Sequence, residues 1–100
     1  MTTHDADAAR LIELYQDLRT INKRNAERCG LAWDDPERLT GAHIDAAFAV
    51  SDRLDEACEV FRRRHYPRAG RVICALGMVS TLSPKGRRGR IVFEAERVDA

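Results

Sequence analysis

The 100-residue chain reads as a small α+β domain, an antiparallel helical hairpin followed by a β-hairpin (ααββ), completed by oligomerisation. Three observations carry this expectation. Apolar residues recur at steps of three and four over two long stretches, the period of a buried helix face. After Gly70 the pattern switches to short runs rich in Val and Ile bounded by Gly, Pro and Ser, as in paired strands. A chain of this length buries only about two thirds of its unfolded surface, which favours a single core over residues 1–100 and association with further copies.

The first helix is expected over about residues 5–29. Leu11, Leu14, Leu18 and Ile21 form its stripe, with Ile12 and Tyr15 beside them. Thr3 or Asp5 can cap its start, Lys23, Arg24 and Arg28 suit the negative end of its dipole, and Gly30 suits a left-handed stop. The connector that follows holds Asp35-Pro36, an N-cap and first-position pair for one turn, with Trp33 and Leu39 as expected anchors on the core.

The second helix is expected over about 40–65. Ile44, Ala47, Phe48, Ser51, Leu54, Cys58 and Phe61 share one face, and Asp45, Asp52, Glu56 and Glu59 lie along the opposite side. Pro67 disfavours helix at Tyr66 and sets the boundary. A short loop between two such helices implies antiparallel packing.

A β-hairpin is expected over about 71–98. Its first strand is one run from Arg71 to Leu82, with Gly77 as a bulge or a close approach. Its second alternates Ile91, Phe93 and Ala95 against Glu94 and Glu96, and a flexible basic tip, 83–89, joins the two. An isolated two-stranded hairpin is marginal, so it must lie on the helices or pair with another chain.

Size excludes dinucleotide-binding and barrel enzyme folds. No run approaches the roughly 20 apolar residues of a membrane span, and the first residues are acidic where a signal peptide is basic, so a cytoplasmic location is expected. Cys29, Cys58 and Cys74 lack paired spacing and read as reduced thiols; Cys74, close to Arg71, is the one with a cationic sequence neighbour. His4, His43 and His65 make no metal pair by spacing. No nucleophile elbow, P-loop or dinucleotide fingerprint is present, so the chain reads as a non-enzyme with no cofactor or metal.

The net charge of +1 conceals a strong asymmetry. Residues 60–93 hold nine basic and no acidic residues, and the other 66 hold eight basic and sixteen acidic. The lead reading is a binding module for a polyanion, a nucleic acid or nucleoprotein. It contacts phosphates through Arg62, Arg63, Arg64, Arg68 and Arg71 at the helix end and Lys85, Arg87, Arg88 and Arg90 at the tip. Tyr66 and His65 could stack on a base there, or pack at the helix end. The alternative is a protein-binding adaptor or inhibitor, of the compact kind that phage and mobile elements encode, acting through Asp45, Asp52, Glu56 and Glu59 or by homo-oligomerisation.

Overall fold

Thr2 opens the first helix. In a computed structural model of the chain, which describes residues 2–87 and 89–95, α1 spans Thr3–Cys29 and the Thr2 hydroxyl accepts the Asp5 N–H at 3.1 Å. The cap therefore sits one residue ahead of the expected Thr3. At the other end Gly30 is right-handed, with φ −84°, in place of the expected left-handed stop. The helix instead tightens: the N–H groups of Gly30 and Leu31 donate to the carbonyls of Glu27 and Arg28.

Asp35 starts the expected single turn, its carboxylate accepting the Glu37 N–H at 2.8 Å. Trp33 does not anchor this loop, being 85% exposed. The turn is closed by its own backbone and by Arg28, which bonds the Glu37 carbonyl and carboxylate. Thr40 then caps α2, Gly41–His65, and the His43 ring accepts the Thr40 N–H at 3.0 Å. His43 thus fills the place of Glu or Gln in a capping box.

Two helices are followed by a three-stranded antiparallel sheet in the order β1 (Arg71–Ala75), β2 (Met78–Leu82), β3 (Arg90–Glu94). The ααββ arrangement holds, with the expected first strand folded back on itself. Leu76 and Gly77, both at positive φ (31° and 77°), form a two-residue turn between the paired Ala75 and Met78. Such turns favour Asn-Gly or Asp-Gly, and a Leu-Gly pair inside an apolar run gives little sign of one.

One face of the sheet lies on the helices. Ala8, Leu11 and Ile12 of α1, Phe61 of α2, and Val72 and Val79 of the sheet form the core. Beside it, Leu14 and Leu54 are buried. A register shift at Val79/Ser80 breaks the alternation expected in β3, so that Val92 and Phe93, neighbours in sequence, both pack on the core, as does Ala95. Ile91 is half exposed. Glu96 and the rest of the expected strand fall outside the described residues.

Leu76 is the one described non-glycine residue with positive φ, and its side chain is largely exposed. An L-residue with a full side chain there strains against its own carbonyl, by about 1 kcal/mol, and Asn relieves much of this. Leu76→Asn should raise unfolding stability by about 0.5–1 kcal/mol in a urea titration; an unchanged or lowered midpoint would contradict the turn geometry.

Candidate polyanion interface

The basic residues at the end of α2 divide into two kinds. Arg62 is mostly buried: its guanidinium holds both Glu59 carboxylate oxygens at 2.7 and 2.9 Å and donates to the carbonyls of Pro67 and Ala69. It is a strap across the α2–β1 link, not a cation offered to a ligand. The same contact holds the Glu59 carboxyl below its ordinary value. Arg63 points outward, 3.8 Å from Glu59, and Arg64 reaches across to Asp7 at 3.0 Å.

His65 and Tyr66 are also committed within the chain. The Asp7 carboxylate pairs with His65 at 2.8 Å, and the Tyr66 hydroxyl meets the His4 ring at 2.7 Å. His4 also pairs with Asp5 at 2.9 Å. The rings of His4, Phe61, His65 and Tyr66 lie 4.8–5.8 Å apart, centre to centre, in tilted and edge contacts. This cluster pins the first turn of α1 to the last turn of α2. Of the two readings of Tyr66, packing at the helix end is the one observed. The sequence offered no sign of the His4 and Asp7 contacts, because they join residues about sixty positions apart.

The segments that carry the other basic residues lie side by side in the chain fold. The Gly70 N–H donates to the Leu82 carbonyl at 2.9 Å, Arg71 pairs with Leu82, and Thr81 pairs with Arg90. A Cβ on Gly70 would lie 2.5 Å from the Ser83 carbonyl oxygen and the Pro84 Cα, so only glycine permits this approach. The segment holding Arg68 and Arg71 is thereby seated against the tip that holds Lys85 and Arg87. All four, and Arg90, are exposed. Among the described residues none has a carboxylate within 4.0 Å. Arg88 lies outside the described residues.

The tip is better organised than its glycines suggest. Gly86 N–H donates to the Ser83 carbonyl at 2.8 Å, Ser83 N–H to the Arg87 carbonyl, and Arg87 N–H to the Ser83 hydroxyl. Ser83, Pro84 and Gly86 occupy the first, second and fourth positions of this turn, as a type I turn favours, and Gly86 lies at φ 73°.

The acidic residues of α2 have different surroundings. Glu59 belongs to Arg62, Glu56 lines a groove with Arg10, Arg53 and Arg64, and Asp45 and Asp52 stand free on the far half of α2. Asp52 is ten residues from Arg62, about 15 Å along the helix.

The partly buried thiols of Cys58 and Cys74 are poor nucleophiles. Burial pushes Cys58 and Cys74 up to about 11, leaving both protonated at neutral pH. Arg71, expected beside Cys74, favours the Cys58 thiolate instead, and burial outweighs it. Among the described residues no three His, Cys, Asp or Glu side chains are placed to hold a metal ion, and no helix is long and apolar enough to cross a membrane.

The chain matches no protein family, no curated protein and no solved structure. The functional reading rests on this geometry.

Hydrogen bonds from His65 and then Arg64 hold the Asp7 carboxyl below its ordinary 3.8. A lowered carboxyl contributes stability that is fully present above the ordinary value and is lost as pH falls through the folded-state value. Asp7→Asn should therefore be less stable than wild type at neutral pH and converge with it below about pH 4. Parallel curves of urea midpoint against pH would show that the cluster contributes nothing through Asp7.

Proposed function

We propose that this protein binds the phosphate backbone of double-stranded nucleic acid, without base readout, through Arg68, Arg71, Lys85, Arg87 and Arg90. The observation that supports this reading is the close seating of Gly70 on Ser83 and Pro84, which sets the segment of exposed Arg68 and Arg71 beside the turn that carries Lys85 and Arg87. Arg62 holds the link that carries Arg68 through the Ala69 carbonyl, and Arg64 is engaged with Asp7 of α1.

The choice of a duplex follows from the aromatic residues. Single-stranded recognition relies on exposed rings that stack on bases. Of the rings nearest the basic segments, Tyr66 is bonded to His4, and Phe61 and Phe93 pack on the core, while the exposed rings, Trp33 and Phe48, belong to the helix connector and the first half of α2. Guanidinium groups carried by a structured turn suit fixed phosphate positions, and contact with phosphates alone carries no sequence information. The free carboxylates Asp45 and Asp52 lie at a distance along α2, where they do not neutralise the basic end.

Binding of a labelled duplex, followed by anisotropy at several salt concentrations, tests the reading. Contact with three to five phosphates gives a slope of log affinity against log salt of about −3 to −4.5. The triple reversal R68E/K85E/R87E should abolish most of that slope, and single-stranded DNA should bind more weakly than duplex. Gly70→Ala, which parts the two segments, should weaken binding even though it removes no charge. No binding at low salt, or a reversed variant that binds as well as wild type, would overturn the proposal.

A further inference from the structure

The sheet covers only part of one face of the helical hairpin. Buried helix residues are confined to Ala8–Leu14 of α1 and Leu54–Phe61 of α2; residues 15–29 and 41–53 contain none. Yet the apolar stripe continues into this bare arm. There Leu18, Asn22, Asn25, Ile44, Ala47, Phe48 and Ser51 line an open cleft of about 300 Å³.

The cleft lies on the face that the sheet covers further along. Ile44, Phe48, Ser51, Asp55, Cys58 and Arg62 follow one another on α2 at steps of three and four, and Asp55 and Cys58 line a hollow together with Arg71 and Val72 of β1. Phe48, 64% exposed, lines this cleft together with the smaller Ala47 and Ser51. An exposed ring and a cleft on one patch are what a two-fold interface requires, since each copy then supplies both.

We propose that this arm is the interface between two copies of the chain, aligned with their arms antiparallel. Parallel alignment would set the two sheets against each other and hold the arms apart by their thickness, whereas antiparallel alignment places each sheet beyond the end of the other arm. Phe48 of each copy then enters the cleft of the other, near the two-fold axis. The connector with Trp33, 85% exposed, and Leu31 is carried to the partner's sheet.

The area is of the right order. A large aromatic buries about 150–250 Å² when fully covered, so Phe48 and Trp33 at their observed exposure supply about 600 Å² over two copies, roughly half of the ~1,200 Å² of a small stable interface. Leu18, Leu31 and Ile44 add to this. The dimer would carry its two basic surfaces on separate sheets, but the interface does not depend on what those surfaces bind.

Analytical ultracentrifugation of the full chain tests the proposal. Wild type should be a dimer at micromolar concentration, and Phe48→Glu should shift the equilibrium about tenfold or more toward monomer with an unchanged far-ultraviolet spectrum. Val60→Glu, in the groove of the opposite face, should leave the dimer intact. In a Cys29→Ser background, Phe48→Cys should be joined between copies by a short bismaleimide. A monomeric wild type, a Phe48→Glu variant that dimerises as wild type does, or failure to cross-link would each overturn it.

Discussion

The mismatch in length between the helices and the strands governs the rest of this molecule. A 27-residue helix extends about 40 Å, whereas a five-residue strand reaches about 17 Å. The sheet can therefore cover one end of the helical hairpin and not the other. All six core residues gather at the covered end, where the start of α1, the end of α2 and the inner face of the sheet meet. The molecule has in consequence one end with two layers, helices and sheet, and an arm with a single layer of helices, and its extent is 51 Å by 33 Å by 23 Å.

The covered end also gathers the polar contacts that join distant parts of the chain. Arg62 ties α2 to the link before β1, Asp7 joins α1 to His65 and Arg64, and His4 meets Tyr66 over the ring of Phe61. Each charge on this list has its partner, so it contributes to order at the helix ends and little to the field outside. Arg68, Arg71, Lys85, Arg87 and Arg90 have no such partner among the described residues; the segment of Arg68 and Arg71 lies close against Ser83 and Pro84 because Gly70 lacks a side chain, and Arg90 is held beside β2 by strand pairing.

Much of the scaffold was legible in the sequence, because helix periodicity and proline are strong local signals. Both helices fall within a few residues of their expected limits, and Pro67 marks the end of α2. The elements that differed depend on geometry that pattern does not encode. The turn at Leu76-Gly77 lies in an unbroken apolar run, and the shift at Val79/Ser80 places two consecutive β3 residues on the core. For the candidate site, the absence of acids from residues 60–93 located the basic region. It could not separate Arg62 and Arg64 from Arg68 and Arg71, since that depends on which carboxylates lie opposite in space. Trp33 was expected to anchor its loop on the core, but among the described residues it is 85% exposed, and the loop is held to α1 through Arg28 instead.

The central claim is that the link around Arg68–Arg71 and the turn at Ser83–Arg87 form one surface on which a duplex rests. Amide chemical-shift mapping during titration with a short DNA duplex examines it residue by residue. The account predicts that shifts concentrate together at 68–71, 83–87 and Arg90 and spare residues 15–53. Shifts confined to one of the two segments, or centred on the arm, would contradict it.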